Sequence, residues 1–248
     1  LNTSRAMYED SRGNYYASVA GGVGVLDPET GKIRSMLFER HPQLKAFSLI
    51  HTLVPLGKDK FAAVGDNGIY VYDTAAGKLW LPDRERDRWY KPGVKYFSLL
   101  KDSRGLDWYA TESGIRVWNA RTGELYELAM ADGLPNDAIS SLLEDDDGAV
   151  WASSLNGISK ITPYARVEGK PGYEFSVVNF DVSDGLQRGM YYVGAALKAK
   201  DGTLYFGGAH GFNYFNPRRM VKGKAIARPL LTGLSIFNMP VTPGAEYG

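Results

Sequence analysis

Residues 102–114 read DSRGLDWYATESG, and residues 10–22 open with the same four letters and read DSRGNYYASVAGG. Each segment has a first-turn glycine and a second glycine nine residues later. An aromatic residue, Tyr16 or Trp108, lies three residues after the first-turn glycine. Glycine supplies the positive φ angles of tight turns, and a short apolar and aromatic run between two turns is typical of a β-strand. The segment therefore predicts a strand bounded by two turns, repeated along the chain.

Five copies of this pattern follow one another. The second glycines lie 43 to 54 residues apart, at Gly22, Gly68, Gly114, Gly157 and Gly211. The other repeat positions that we interpret as structural are Gly13, Gly105, Gly148, Gly202, Trp108 and Trp151. This period, with four short strands per copy, is typical of a propeller blade. We predict an all-β fold, a β-propeller of five blade repeats at residues 5–38, 46–80, 96–130, 138–180 and 190–217.

The repeats also differ from one another. The second has Asp59 and Ala62 where the others have glycine and an aromatic residue, so we expect an irregular second blade. In the fourth repeat the third strand is expected at residues 158–161, ending at the Thr162-Pro163 pair. Fourth strands are predicted at residues 33–38, 124–130 and 174–180, whereas the fifth repeat has no obvious fourth strand.

Composition excludes several classes of function. Lys+Arg total 29 and Asp+Glu 28, a formal net charge of +1 without long runs of one sign, so nucleic acid is not an expected partner. The chain has no cysteine, which excludes disulfides, thiol catalysis and cysteine metal sites. It opens without a signal-like segment and contains no apolar stretch long enough to span a bilayer. We therefore expect a piece of a longer protein that meets a membrane only through flanking segments.

The fourth and fifth repeats resemble the two-component regulator propeller repeat. The matching residues of the fourth are 133–136, 144–148, Trp151 and 156–158; those of the fifth are 184–187, 194–196, 201–208 and 211–213. Residues 228–238, with Pro240 and Val241, look like the opening strand of the Ig-like domain that follows the propeller in that family. Residues 218–248 are thus expected to be a linker and the first strand of an Ig-like domain.

The resemblance implies a function. In that family the propeller is the periplasmic sensor region of an inner-membrane protein of Gram-negative bacteria, with a histidine kinase or a GGDEF diguanylate cyclase as output. It also implies a larger ring of about seven blades. The five repeats are then an open arc or a ring completed by a second copy, as a homodimer. The expected partner is a small molecule such as an oligosaccharide, and this chain by itself is not expected to be an enzyme.

Catalytic and metal motifs are not evident. His41, His51 and His210 lie in different repeats without metal-ligand spacing, and no nucleophile elbow or P-loop occurs. The acidic run at 144–147 lacks EF-hand spacing and is interpreted as a solvated turn. We predict no catalytic residue, metal or cofactor. The alternatives are an interaction scaffold, or a propeller lyase or hydrolase whose site is assembled from separate blades.

A ligand site is expected at a mouth of the central channel, where propellers gather their loops. Arg188, Tyr191 and Tyr192 enter the first strand of the fifth repeat, and His210 precedes a turn glycine. Aromatic faces stack on sugars, and guanidinium groups bind hydroxyls or carboxylates. We predict ligand binding by Arg188, Tyr191, Tyr192 and His210. The alternative is that the two tyrosines pack into opposite blade interfaces and that Arg188 only caps a turn.

Overall fold

Five antiparallel sheets follow one another along the chain. This computed structural model describes residues 6–47, 49–83, 87–166 and 172–220, and the backbone of 235–236 and 239–240. Blades 1 to 3 each have four strands: β1 Met7–Glu9, β2 Tyr15–Val19, β3 Gly22–Leu26 and β4 Ile33–Met36; β5 Ile50–Pro55, β6 Lys60–Gly65, β7 Gly68–Asp73 and β8 Lys78–Trp80; β9 Tyr96–Lys101, β10 Asp107–Thr111, β11 Gly114–Asn119 and β12 Glu124–Leu128.

Blades 4 and 5 complete the series. Their strands are β13 Ile139–Glu144, β14 Val150–Ser154, β15 Gly157–Ala165 and β16 Tyr173–Phe180; then β17 Tyr191–Lys198, β18 Leu204–Gly208 and β19 Gly211–Phe215. Among the residues described, helix is confined to α1, Leu37–Arg40, and to 3₁₀ turns at Pro42–Ala46, Met130–Asp132, Val182–Asp184 and Pro217–Arg219. No helix in the described ranges has the length and apolar content of a membrane span. The predicted all-β propeller of five blades is confirmed.

The strands correct three details of the sequence prediction. Blade 2 is not irregular, because β5 to β8 pair as regularly as the strands of its neighbours. The outer strands β4 and β12 end earlier than expected, where α1 and a 3₁₀ turn begin. Strand β15 continues through Pro163, which pairs with Phe175 of β16. The pairing of β14 with β15 stops at Ile161, before Pro163. The proline therefore has no partner in β14 to which a backbone N–H would donate.

Each pair of consecutive blades encloses its own hydrophobic cluster. Phe61 lies in the cluster between blades 1 and 2, Tyr96 in the next, Trp108 in the third, and Trp151 in the cluster between blades 4 and 5. Among the described residues, no such cluster joins blade 5 to blade 1. The far face of blade 5 therefore exposes its apolar residues, including Phe212 (63%). Whether the ring extends beyond these five blades stays a prediction.

A buried aspartate closes the first turn of blades 3 and 4. Asp145 is 4% exposed; its Oδ1 accepts hydrogen bonds from the Ala149 and Asp147 backbone N–H groups, and its Oδ2 accepts one from Trp151 Nε1 at 2.8 Å. Asp102 binds Trp108 in the same way, at 3.1 Å. The interpretation of run 144–147 as a solvated turn is thus wrong for Asp145. Its carboxylate lies inside because it accepts hydrogen bonds from two buried donors, the Ala149 N–H and Trp151 Nε1, and from the partly buried Asp147 N–H.

The repeated DSRG segment also links neighbouring blades. Ser103 donates from its N–H and its Oγ to the Glu144 carboxylate, and Arg104 Nη1 donates to the Gly148 carbonyl at 2.6 Å. A Cβ at Gly148 would lie 2.8 Å from Arg104 Nη2, so this glycine makes room for the guanidinium group. Ser11 binds the Asp59 carboxylate of blade 2 in the same manner. Asp59, which stands where the other repeats have a glycine, therefore links blade 2 to blade 1.

Removing one of these links should weaken the contact between two blades. We expect Arg104→Ala to lower the free energy of unfolding by about 1 kcal/mol, the contribution of one charge-assisted hydrogen bond with a partly exposed ion pair. Urea denaturation measures the change. Arg121→Ala is the control, because within the described part of the chain its guanidinium group hydrogen-bonds only the Arg104 carbonyl of its own blade, at 3.4 Å. An equal loss in both variants would contradict a role for Arg104 between blades.

The chain divides into two compact units, Leu1–Arg218 and Arg219–Gly248. In the second unit, β20 (Ser235–Ile236) and β21 (Met239–Pro240) form an antiparallel pair. The rest of the predicted Ig-like strand, residues 228–234, 237–238 and Val241, lies outside the described residues. The assignment of 218–248 to a linker and an Ig-like domain therefore stays a prediction.

Candidate functional site

The inner strands of blades 2 to 5 share a β-bulge near their first residue. In each blade the first strand contacts the first strand of the next, so these strands line the central channel. The extra residue is His51 in β5, Phe97 in β9 and Ser140 in β13, each without a direct partner in the neighbouring strand. Bulges redirect side chains and often occur next to binding sites. We call this end of the inner strands the channel mouth; Tyr192 of β17 is its fourth bulge residue.

The residue before each bulge belongs to the core. Ile50, Tyr96, Ile139 and Tyr191 begin the four inner strands and are between 0% and 3% exposed. Tyr191 packs against Phe206, donates its hydroxyl proton to Asn213 Oδ1 at 2.7 Å, and has its pKa raised by burial to about 12. Its ring offers no open face to a ligand. Of the two tyrosines predicted to bind, Tyr192 is the exposed one (52%).

A charged cluster lies at the mouth between blades 2 and 3. His51 Nε2 is 2.6 Å from Asp66 Oδ1, and Lys95 Nζ is 3.8 Å from Asp66 Oδ2. The His51 ring meets the Phe97 ring edge-on, with 5.3 Å between centroids. Asp66 lies at the channel mouth because it follows the last residue of β6, Gly65, which pairs with Ile50 at the start of β5. Sequence reasoning missed this cluster, although His51 occupies the same second position of its strand as Tyr192.

Blade 5 extends its bulge across the channel. Residues 192–195 lie opposite the single residue Gly207 of β18. Four residues therefore separate the two nearest paired positions of this strand, whereas one residue separates them in the inner strands of blades 2 to 4. The Gly194 N–H donates to Ser141 Oγ of blade 4 at 3.1 Å. A Cβ at Gly194 would lie 3.5 Å from the His51 carbonyl oxygen of blade 2. The bulge therefore joins three blades at the centre, next to the charged cluster.

The structure brings Arg188 and His210 together. His210 Nδ1 lies 2.7 Å from the Arg188 carbonyl oxygen, and the His210 N–H donates to Gln187 Oε1 at 2.8 Å. Both predicted residues are exposed. Within the described chain, Gln187 Nε2 is a buried donor without a hydrogen-bond partner. This loop leads into β17 and thus connects directly to Tyr192 and the bulge.

The side chains at the mouth suit recognition of a polar organic molecule. Tyr192 contributes an exposed aromatic ring and Arg188 a guanidinium group. Lys95 contributes an ammonium group and Asp66 a carboxylate. Such groups bind hydroxyls and carboxylates and can stack on a ring. No group of three or more potential metal ligands occurs among the residues that the structure describes. That none of these residues is catalytic stays a prediction.

Sequence comparison finds a match to a family model within the fourth blade. Residues 133–156 match the family model of the two component regulator propeller, which confirms the resemblance carried by the motifs there. Histidine kinase P4 of Formosa agariphila is 26% identical over 134 residues, which are 54% of this chain and 9% of the relative. The chain therefore spans a small part of that protein.

Structural comparison shows the fold. The extracellular domain of a B. thetaiotaomicron protein assigned as a hybrid two component system has a TM-score of 0.66 and 24% identity, over 88% of this chain and 28% of that one. Virginiamycin B lyase from Staphylococcus aureus has a TM-score of 0.51 and 16% identity, over 86% of this chain and 69% of that one. The same architecture thus occurs in a two component system and in a lyase, so fold alone does not assign an activity.

Proposed function

We propose that this chain, which carries the two component regulator propeller repeat at residues 133–156, is the ligand-sensing propeller of a signal-transduction protein. Its sequence relative is a histidine kinase, and its fold is that of an extracellular domain from a two component system. We place the sensor outside the cytoplasm, in the periplasm of a Gram-negative bacterium. The output, in a part of the protein beyond these residues, is a histidine kinase or a diguanylate cyclase.

The channel mouth is the proposed ligand site. The observation that carries this assignment is the repeated bulge, which places His51, Phe97, Ser140 and Tyr192 at one end of the channel. A small polar molecule such as an oligosaccharide would stack on Tyr192 and accept hydrogen bonds from Arg188. Tyr191 and His210 hold the loop in place through their hydrogen bonds.

The bulge at 192–195 is the element that can report occupancy. It belongs to blade 5 but touches blades 4 and 2, so displacing it would alter contacts in three blades. Gln187, in the loop that leads into the bulge, connects this loop to His210, whose N–H donates to Gln187 Oε1 at 2.8 Å. The signal would continue through residues 219–248 toward the output domain.

Calorimetry against oligosaccharides and small anions tests the site. We expect Tyr192→Ala and Arg188→Ala each to weaken binding by about tenfold or more, the effect of losing one aromatic stack or one charge-assisted hydrogen bond. Tyr214→Ala is the control, because Tyr214 is also exposed (66%) but lies on the far face of blade 5. If a ligand is found and the first two variants bind it as tightly as the unaltered protein, the assignment to the channel mouth is wrong.

A further inference from the structure

A cavity of about 550 Å³ lies between blades 1 and 2. Blade 2 contributes residues 72–77, and blade 1 contributes its first turn and its outer strand. Strand β7 begins at Gly68, beside the channel mouth, and ends at Asp73, so residues 72–77 lie at the opposite end of the sheet. The cavity is therefore separate from the channel mouth. Its volume falls within the range of roughly 300–1,000 Å³ that is usual for small-molecule sites.

Three arginines from separate elements line the cavity. Arg12 lies in the turn after β1, Arg34 in β4 and Arg40 in α1. Arg40 reaches the cavity because β4 ends at Met36 and the chain continues there into α1. No carboxylate occurs among the described residues that line the cavity. The charged groups of the lining are therefore all guanidinium groups.

Two of these arginines have most of their N–H donors unused. Arg12 Nη2 donates to the Thr74 carbonyl of blade 2 and to Asp10 Oδ2, so its side chain is held across the two blades. Within the described part of the chain, Arg34 makes a single hydrogen bond, from Nη2 to the neutral Asn14 Oδ1 at 3.1 Å. Arg40 makes none there. Since a guanidinium group carries five N–H donors, both side chains can bind an incoming acceptor.

The carboxylates around the cavity are already bound to other groups. The Asp10 side chain is fully buried and accepts hydrogen bonds from two backbone N–H groups of its own turn, besides its contact with Arg12. Asp27 and Asp73 likewise accept backbone N–H groups of their own turns. In the described ranges no carboxylate lies within ion-pair distance of Arg34 or Arg40. Their charges are therefore not neutralised by a direct partner.

Two tyrosine hydroxyls add donors to the lining. The rings of Tyr16 and Tyr72 are buried, with 6.2 Å between their centroids. Neither hydroxyl has a hydrogen-bond partner among the described residues, and neither is closed off from solvent. Burial raises the pKa of Tyr72, while the charges of Arg40 and Arg12 act in the opposite direction. The hydroxyl thus lies near both guanidinium groups and is protonated at neutral pH.

We propose that this cavity is a second binding site, for a small organic molecule that carries a phosphate or sulfate group. The oxygens of that group accept hydrogen bonds from Arg34, Arg40 and the Tyr72 hydroxyl, because an oxyanion offers several acceptors to a lining of donors. Ser35 and the turn at residues 75–77 surround the rest of the molecule, which suits a hydroxylated body. Because the donors belong to blades 1 and 2, occupancy stabilises the contact between these blades.

Binding of glucose 6-phosphate to the 248-residue protein, with glucose 6-sulfate and glucose for comparison, tests the proposal. Calorimetry at low salt should show saturable binding of at least one ester, about tenfold or more tighter than binding of glucose, because glucose has no oxyanion. The more tightly bound ester distinguishes a phosphate from a sulfate ligand. Sodium chloride at about 0.5 M should weaken ester binding by screening the arginines. Absence of saturable ester binding, or equal affinity for glucose and both esters, would overturn the proposal.

Two variants assign the binding to this cavity. Arg40→Ala should weaken ester binding about tenfold, and Tyr72→Phe about threefold, through loss of a charged and a neutral donor. Arg40 has no partner to lose in the described chain, so its variant should unfold at the same urea concentration as the unaltered protein. Arg121→Ala is the matched control, because it removes an exposed arginine from blade 3 and should leave ester binding unchanged.

The channel-mouth variants separate this site from the first one. Arg188→Ala and Tyr192→Ala should bind the ester as tightly as the unaltered protein. If these two variants lose ester binding while Arg40→Ala and Tyr72→Phe retain it, the oxyanion binds at the channel mouth and the cavity assignment is refuted. Unaltered binding in both cavity variants would refute it as well.

Discussion

Asp145→Ala is expected to lower the free energy of unfolding by about 3 kcal/mol or more, because three donors, two of them buried, lose their acceptor at once. The carboxylate receives hydrogen bonds from two backbone N–H groups of its turn and from the Trp151 indole. Trp151 is 1% exposed and packs against Phe215 of blade 5. The substitution therefore disturbs a turn, the core of blade 4 and the interface with the next blade.

Urea denaturation followed by circular dichroism measures this loss, and tryptophan fluorescence reports separately on Trp151. Asp201→Ala is the control. Asp201 lies in the corresponding turn of blade 5, where Ala199 holds the position of Asp145. Asp201 is exposed, its Oδ1 accepts a hydrogen bond from the Thr203 N–H, and Tyr205 stands in place of the tryptophan. We expect the control to lose about 1 kcal/mol or less, as for a surface hydrogen bond. A comparable loss at Asp201 would show that the turn alone, and not the bond to the indole, makes Asp145 important.

Gly157→Ala is expected to be as damaging, for a steric reason. Gly157 has φ +100°, and a Cβ there would lie 2.3 Å from the Phe180 carbonyl oxygen. The clashing atom is backbone, which cannot move aside without disrupting the pairing of β15 with β16. We expect a loss of about 3 kcal/mol or more, from backbone strain and overpacking together.

Gly105→Ala separates these two effects. Gly105 has φ +87°, but no atom lies within 4 Å of its added Cβ. This control should lose only the roughly 1–2 kcal/mol that a left-handed conformation costs an alanine. Urea denaturation of both variants gives the comparison. If the two losses agree, the Phe180 carbonyl moves away readily and the close approach has no energetic importance.

Local sequence was sufficient for the blades. Glycines at a regular spacing predicted the turns, and the apolar runs between them predicted strands, because turn conformation and strand alternation depend on neighbouring residues. The prediction failed where distant residues intervene. Asp59 was interpreted as a defect, yet it binds Ser11, which lies 48 residues away in blade 1. Asp145 was interpreted as solvated because its six-residue separation from Trp151 does not reveal their hydrogen bond.

The exposure of the proposed ligand-binding residues was predicted only in part. Arg188, Tyr192 and His210 are all exposed. Arg188 lies four residues before Tyr192 in the sequence, and the His210 ring lies within hydrogen-bond distance of the Arg188 carbonyl oxygen. Tyr191 is buried instead, because pleating sends successive residues of a strand to opposite sides. Aligning the inner strands would have separated the two tyrosines, since the first residue of each strand is a core residue and the second forms the bulge.

The sequence by itself determined the fold class, the number of blade repeats and most strands, since each blade is specified by contacts within about fifty residues. Tertiary structure decided which side chains meet between blades. His51, Asp66 and Lys95 come from two blades and meet only when those blades pack. Bulge register and blade packing arise from long-range hydrogen bonds and burial, which no local pattern encodes.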